Sequence, residues 1–267
     1  MKKKLSNPSV TVALLFLAPA YCFAQSSIDD RFSVSLGAFV TDRDTDTRLD
    51  SNTLGPGTEI DFEEDLGLDS SDSVFRLDGH FRFNEKHRVN FAVFDLSRDS
   101  SKAIQRDIQY GDEIFVIDTA VNTNIDLTIY KLAYTYSFMQ RDNGYLGATL
   151  GAYVADTKLG LSEQNLGQAE VRELTAPLPV IGFRGEYEFT DRLTLNASGE
   201  FFAIEFDDVD GSLVDLYLGL DFQIIEHVAI GLAYNNVNID VDATKSDFGG
   251  SLDWQYDGAL IFFKFDF

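Results

Sequence analysis

Residues 258–267 read GALIFFKFDF and place an apolar side chain at every second position counted back from Phe267. Side chains in a β-strand point alternately to opposite faces, so this spacing predicts a strand with one continuously apolar face. Nine further stretches of the chain have the same two-residue period, and none has the spacing of an amphipathic helix. We therefore predict an all-β protein of about ten strands, with eight or twelve as the alternatives.

The connections between these predicted strands alternate in length. The long connections are 42–72, 99–123, 158–176, 205–211 and 242–251, and the short ones are 84–86, 139–143, 190–191 and 225–227. Long extracellular loops alternating with tight periplasmic turns are typical of outer-membrane barrels. The predicted fold class is a transmembrane, antiparallel, up-and-down β-barrel, whose outward apolar faces contact lipid. An even number of strands places both chain ends in the periplasm.

The start of the chain has the pattern of an export signal. Lys residues at 2–4 precede a mostly apolar run over 10–20, and small residues follow at the positions that signal peptidase requires. The run is shorter than the roughly 20 residues of a membrane-spanning helix. We predict a cleaved signal peptide over 1–24 and a single barrel domain over 25–267. Cleavage removes Cys22, which is the one Cys of the chain.

The composition excludes several functional classes. Asp and Glu number 44 against 21 Lys and Arg, and a net charge of −23 excludes a generic nucleic-acid binder, which needs clustered cations. One Cys excludes a disulfide scaffold and nearly excludes a four-ligand Cys/His zinc site. The 23 Phe residues and the evenly spread apolar residues exclude a disordered chain.

The C-terminus resembles the assembly signal of bacterial outer-membrane β-barrel proteins, which the barrel-assembly machinery recognises. The apolar positions of that signal are here Ile261, Phe263, Phe265 and Phe267. Segments 57–62, 65–68 and 176–182 are similar to a group of small outer-membrane proteins loosely called porin-like. The resemblance implies a Gram-negative cell envelope and an outer-membrane location. It also implies outer-membrane lipid, lipopolysaccharide, the assembly machinery and periplasmic chaperones as partners, but no agreed activity and no cofactor.

The polar residues that alternate with the apolar ones are predicted to line the lumen. These residues are Arg76, Asp78, His80, Arg82, Arg184, Glu186, Glu200, Asp215 and Asp221. A barrel of eight strands is just filled by side chains, and a wide channel needs about sixteen. Two interpretations of the charged lumen are therefore open. It is either a cation-preferring pore or a set of ion pairs that plugs the barrel, because buried charges must be paired.

Three functions follow from this interpretation. The first is a small cation-preferring channel or a structural barrel with acidic extracellular loops. The alternative is a surface-binding or adhesion protein acting through loops 42–72 and 99–123. A rim enzyme acting on lipid or peptide is the weakest, because His80, His87 and His227 all lie near the predicted periplasmic end. We predict no enzyme activity, and no catalytic, cofactor or metal residue is assigned.

The predicted first loop, 42–72, contains eleven acidic residues and two Arg. The carboxylates alternate over residues 42–46, a pattern that Ca²⁺ prefers, but Thr47 and Thr53 stand where a calcium loop has Gly and Glu. We expect a solvated acidic loop, with divalent-cation bridging to the phosphates of lipopolysaccharide as the functional alternative. Near the C-terminus, Trp254 and Tyr256 are predicted to belong to the outer aromatic girdle.

Overall fold

The computed structural model describes residues 30–163, 169–206, 209–245 and 248–267, and every regular element in these ranges is a β-strand. The predicted signal peptide over 1–24 lies outside the described residues. Within the described ranges no helix is long and apolar enough to cross a membrane. The all-β fold class predicted from the two-residue period is confirmed.

Fourteen strands are described along the chain. They are β1 (Phe32–Leu49), β2 (Ile60–Asp61), β3 (Ser71–Asn84), β4 (His87–Asp95), β5 (Arg98–Ala103), β6 (Ile108–Tyr110), β7 (Glu113–Phe115), β8 (Ala120–Arg141), β9 (Gly144–Glu163), β10 (Ala169–Thr190), β11 (Leu193–Phe206), β12 (Val209–Ile225), β13 (Val228–Lys245) and β14 (Phe248–Asp266).

Ten of these strands form a closed antiparallel barrel in the described part of the chain. Their order is β1, β3, β4, then β8 to β14, and each pairs with the next. The last strand closes the barrel on the first, in a register that runs from Ser33↔Asp266 to Leu49↔Gly250. Of the others, β2 and β5 add to β1 and β8, and β6 and β7 form a separate hairpin. The up-and-down topology follows the sequence prediction.

The alternation of side chains separates a lipid-type outer face from a buried inner face. On β8, Leu132 and Tyr134 are 60% and 40% exposed, whereas Lys131, Ala133 and Thr135, which alternate with them, are buried. Water would not favour a wall of exposed large apolar side chains, but a hydrocarbon environment does. The outer face is therefore built for contact with lipid.

The register of the third barrel strand, β4, is continuous. In the sequence it is ambiguous, because Phe94 and Leu96 follow apolar residues of the opposite face. Strand β4 pairs with β8 without a shift from His87↔Tyr136 to Asp95↔Thr128. Phe94 and Leu96 are 3% and 1% exposed and face the barrel interior. No bulge interrupts this pairing.

The strands continue well beyond the outer apolar band, which corrects the predicted boundaries of the long loops. On β1 the outward positions change from Val40 to Asp42, Asp44 and Asp46, yet the strand continues to Leu49. A membrane strand needs only about 9–11 residues, whereas β8 and β10 each have 22. Much of each predicted loop is therefore barrel wall that stands clear of the apolar band.

Two segments close the long-loop end of the barrel, and we call them the cap: residues 50–70 and 104–119. They are joined by hydrogen bonds from Thr58 N to Gln109 O (2.9 Å) and from Gln109 N to Thr58 Oγ1 (3.0 Å), and Gly111 N donates to Leu49 O at the end of β1 (3.0 Å). Apolar side chains of the cap are buried over the barrel mouth. They are Ile60, Phe62, Leu66, Leu68, Ile104, Ile108, Tyr110 and Phe115. The expectation of a solvated acidic first loop fits exposed acids such as Glu64 and Asp69, but the apolar side chains of this connection are buried in the cap.

The predicted place of two aromatic residues is also wrong. Trp254 and Tyr256 are 6% and 1% exposed and lie inside the barrel. They share the even-numbered face of β14 with Leu260 and Phe262, which are also buried. The apolar outer face predicted for this strand is odd-numbered, so the alternation itself required these two side chains to point inward.

Candidate functional site

The lumen on the short-turn side of the barrel holds the charged residues that the sequence predicted there. Arg76, His80, Glu186, Glu200, Asp215 and Asp221 are buried inside, and Asp78, Arg82 and Arg184 are partly exposed. These side chains come from strands on all sides of the barrel, so the closed sheet brings together residues far apart in the chain.

A connected set of polar contacts crosses the lumen. Arg76 donates two bonds of 2.9 Å to the carboxylate of Asp78 and one of 2.6 Å to Asn235 Oδ1. Asn235 Nδ2 donates to Asp215 Oδ1 at 2.6 Å. The Lys131 ammonium on β8 bonds the other Asp215 oxygen at 2.9 Å. The contacts therefore span from β3 through β13 and β12 to β8.

The network continues to two further strands. Lys131 Nζ lies 2.6 Å from Glu200 Oε2 on β11, and Arg184 on β10 lies 3.6 Å from the other oxygen of Glu200. The Glu200 side chain is 0% exposed. A buried carboxylate must be neutralised by neighbouring cations, and here Lys131 and Arg184 do so.

Two smaller groups of ion pairs lie beside the network around Lys131. We call the network and these two groups together the ion-pair layer. Arg88 pairs with Glu186, and the hydroxyl of Tyr145 donates to Glu186 at 2.9 Å. Near the short-turn end, Lys264 Nζ lies 3.2 Å from Asp221 Oδ2 and 3.7 Å from Asp266 Oδ1. The charges of this layer are thus matched mainly within the protein.

Sequence reasoning missed several members of this layer. They are Arg88, Lys131, Tyr145, Asn235 and Lys264. The signal that could have found them is the same alternation. Lys131 stands between the outward Tyr130 and Leu132, and Lys264 stands between Phe263 and Phe265.

An aromatic layer lies above the ion-pair layer, towards the cap. Phe39, 0% exposed, packs against the rings of Phe94 and Tyr256, each with its centroid at 6.2 Å. The Arg76 guanidinium lies over the rings of Phe94 and Phe39, at 4.8 and 5.4 Å from their centroids. This cation–π contact joins the two layers. The aromatic layer is continuous with the buried apolar side chains of the cap.

A small internal space lies within the ion-pair layer. A cavity of about 90 Å³ is lined by polar side chains, among them Ser35, His80, Asn196 and Asp221. Such a volume has room for a few water molecules and is polar enough to hold them. It lies below the aromatic layer, so that hydration here does not by itself make a passage through the barrel.

Ion pairs also fasten the cap to the wall and join its two segments to each other. Arg98 on β5 pairs with Glu63 and donates to Thr45 Oγ1 at 2.6 Å. Arg106 bonds Asp65, with Nε 3.2 Å from Oδ1, and this hydrogen bond raises the pKa of Arg106. Several acids of the predicted first loop therefore stabilise the cap instead of pointing only to solvent.

An acidic surface covers the outer face of the extended wall. Asp46 and Asp253 are direct neighbours on β1 and β14, above the apolar band. Partial burial raises the pKa of Asp46, with further contributions from Asp61 and Asp44. Burial likewise raises the pKa of Asp253, followed by Asp240 and Asp44. Within the described residues, no group of three His, Cys, Asp or Glu is arranged to hold a metal ion.

Comparison with known proteins agrees with this architecture. OmpT, the outer membrane protease of Escherichia coli, has a solved structure with a TM-score of 0.54 over 89% of this chain and 97% of that one, at 10% identity. The fold is that of bacterial outer-membrane β-barrel proteins. The resemblance predicted from the C-terminal strand is confirmed at this level. Because identity is so low, the likeness shows the fold alone.

Other comparisons are more distant. Ail, the attachment invasion locus protein of Yersinia pestis, solved in complex with the heparin analogue sucrose octasulfate, has a TM-score of 0.40 at 13% identity, covering 87% of this chain and 98% of that one. The toluene transporter TodX of Pseudomonas putida has a TM-score of 0.33 at 9% identity, covering 89% and 90%. The family model described as "Protein of unknown function, DUF481" matches residues 128–260. No curated protein matches the sequence.

Proposed function

We propose that this protein is a non-conducting outer-membrane barrel that holds a folded cap at the cell surface. The observation that carries the proposal is the pair of stacked layers inside the barrel. The ion-pair layer is cross-linked around Lys131, and the aromatic layer around Phe39 lies directly above it. Of the two interpretations left open by the sequence, these contacts favour the paired plug over the cation-preferring pore.

Recording in planar lipid bilayers tests the closed lumen. The refolded mature protein is expected to give no steady current, and digestion of the cap with protease on one side verifies that it has inserted. Stable single-channel steps with cation selectivity would contradict the proposal and support the pore.

Surface accessibility tests the proposed outer-membrane location. A protease-cleavable tag after Asn52, in the cap, is expected to be cut in intact cells. A tag beside Asp142, in the turn between β8 and β9, should be cut only after the outer membrane is permeabilised. Cleavage beside Asp142 in intact cells would reverse the orientation.

A second candidate function, surface binding, rests on the cap itself. The cap is a preformed structure with its own buried side chains, and it carries exposed apolar residues at its tip. Enzyme activity forms no part of the proposal. The three His that a rim hydrolase would use lie instead in the ion-pair layer (His80) and at short turns (His87 and His227).

The partners proposed for the barrel follow from its surfaces. The outward apolar band fits outer-membrane lipid, and the acidic residues just above it are proposed to lie at the level of lipid headgroups. There, divalent cations are proposed to bridge these carboxylates to the phosphates of lipopolysaccharide. We propose that periplasmic chaperones deliver the chain to the barrel-assembly machinery. The machinery then recognises the outward apolar side chains of the last strand, which end at Phe267.

A further inference from the structure

The tip of the cap exposes large apolar side chains. Ile114, Val116 and Ile117 are 54%, 56% and 49% exposed, although neighbouring Phe115 is buried. These side chains lie at the end of the barrel remote from the short turns, far from the apolar band that faces lipid. Adjacent apolar side chains exposed outside a membrane-facing region mark an interaction surface. We call residues 112–118 the tip.

The tip is held in one conformation by hydrogen bonds at its base. Ile104 N donates to Thr119 O at 3.0 Å, and Asp118 N donates to Ile104 O at 2.9 Å. Ile117 N donates to Asp107 Oδ1 at 2.7 Å. A surface that is already ordered loses less conformational entropy when a partner binds.

Of the described strands, none pairs with the outer edge of β7. Gln109 N donates to Thr58 Oγ1 at 3.0 Å, and Gln109 O accepts from Thr58 N, so the backbone of Gln109 points away from β7. Its partner across the hairpin is Ile114. In an antiparallel pair the two opposed residues either bond each other or both point outward. The N–H and C=O of Ile114 therefore point away from β6, at an edge where a further strand can pair.

The charge at the tip is negative. Asp107, Asp112, Glu113 and Asp118 all have exposed side chains. The basic residue of segment 104–119 is Arg106, and it is paired with Asp65. A partner that carries positive charge is therefore attracted, and an acidic one is repelled.

We propose that the tip binds an extended basic polypeptide segment with alternating apolar side chains, which adds as a strand to the open edge of β7. The apolar side chains of the partner would contact Ile114 and Val116, and its basic side chains would face Glu113 and Asp118. The proposal deepens the surface-binding function and requires the cap to face outward. It does not depend on the closed lumen.

Fluorescence anisotropy with defined peptides tests the proposal. The mature protein in uncharged phosphatidylcholine nanodiscs is titrated against a labelled decapeptide of alternating Lys and Val. Binding is expected, and it should weaken when salt is raised from about 0.05 to 0.5 M because screening weakens the charge attraction. Three altered peptides should bind at least about tenfold more weakly: Val replaced by Ser, Lys replaced by Glu, and alternate backbone nitrogens methylated.

Matched variants locate the site. The double substitution Ile114→Ser/Val116→Ser should weaken binding at least about tenfold, since it removes the central apolar contacts. Glu113→Gln/Asp118→Asn should weaken it mainly at low salt. Asp240→Asn/Asp242→Asn removes the same charge from the exposed face of β13 and should leave binding within about twofold. These side chains are exposed, so each variant is expected to fold.

Several outcomes would overturn the proposal. Equal binding by the methylated peptide would exclude strand addition, and unchanged binding by the Ile114/Val116 variant would place the site elsewhere. Binding of protein to protein-free phosphatidylcholine vesicles that equals peptide binding would identify lipid as the occupant. If the Lys/Val peptide fails to bind while the Asn52 tag is still cut in intact cells, the peptide proposal fails and the outward cap stands.

Discussion

Lys131 on β8 and Asp215 on β12 meet across the barrel lumen, with Nζ 2.9 Å from Oδ2. The same ammonium lies 2.6 Å from Glu200 on β11, so one cation stabilises two buried carboxylates from neighbouring strands. This contact joins opposite walls of the barrel, and its loss would affect more than one pair.

The first prediction concerns this shared cation. Lys131→Met keeps most of the side-chain volume but leaves Glu200 and Asp215 buried without their common partner. Stranding a buried charge typically costs about 3–5 kcal/mol, so the free energy of unfolding should fall by about that amount. Lys158→Met, at an exposed position of β9, should cost less than about 1 kcal/mol. Urea unfolding in lipid vesicles measures both, and equal losses would contradict the assigned role.

The second prediction concerns the aromatic layer. Phe39→Ala removes a fully buried ring that packs against Phe94 and Tyr256, and such truncations cost about 3–5 kcal/mol. We also expect a small ion leak in planar bilayers, because the layer loses its central side chain. Phe75→Ala on the outer face of β3, where Phe75 is 65% exposed, should produce no leak. A Phe39 variant that conducts no current and keeps the stability of the parent would show that the ring does not seal the lumen.

The third prediction concerns pH. Because Asp253 has a pKa above its ordinary value, ionisation of its carboxyl destabilises the folded state. The penalty is fully present above the raised pKa and absent below the ordinary value of 3.8. Asp253→Asn should therefore unfold at a higher temperature than the parent at pH 7 and at the same temperature near pH 3. A variant that is less stable than the parent at pH 7 would show that burial of Asp253, with repulsion from Asp240 and Asp44, does not destabilise the folded state.

The fourth prediction concerns assembly. Phe267 is 65% exposed and ends the outward row of Ile261, Phe263 and Phe265 on β14. Phe267→Ser is expected to lower the amount of protein in the outer membrane while secretion to the periplasm continues. Leu218→Ser on β12, an outward residue that is 54% exposed, is the control for lost lipid contact alone. Normal outer-membrane levels of the Phe267 variant would disprove the assembly signal.

The barrel could be predicted from sequence because each membrane-level strand has one apolar and one polar face. That contrast disappears higher on β1, where Thr41, Arg43 and Thr45 face inward and Asp42 and Asp44 face outward. With both faces polar, the two-residue period of hydrophobicity is lost. The continuation of the strand depends instead on pairing with β14, which a single sequence does not display.

The cap was beyond sequence reasoning for a different physical reason. Phe62, Leu66 and Leu68 have the spacing of a strand face, yet Phe62 and Leu66 lie in turns, and all three are buried because the first and second long connections pack together. Acids such as Glu63 and Asp65 dominate that stretch and indicated a solvated loop. Their partners, Arg98 and Arg106, come from a distant part of the chain. Tertiary contacts therefore decide the structure of this segment.

The continuation of the strands past the apolar band sets the distance between the cap and the membrane surface. On β1 the wall continues for the eight residues 42–49 beyond the last outward apolar position. At about 3.3 Å per residue and a typical barrel tilt, this raises the cap by about 20 Å. A partner too bulky to approach the membrane surface closely could therefore still contact the outermost part of the molecule.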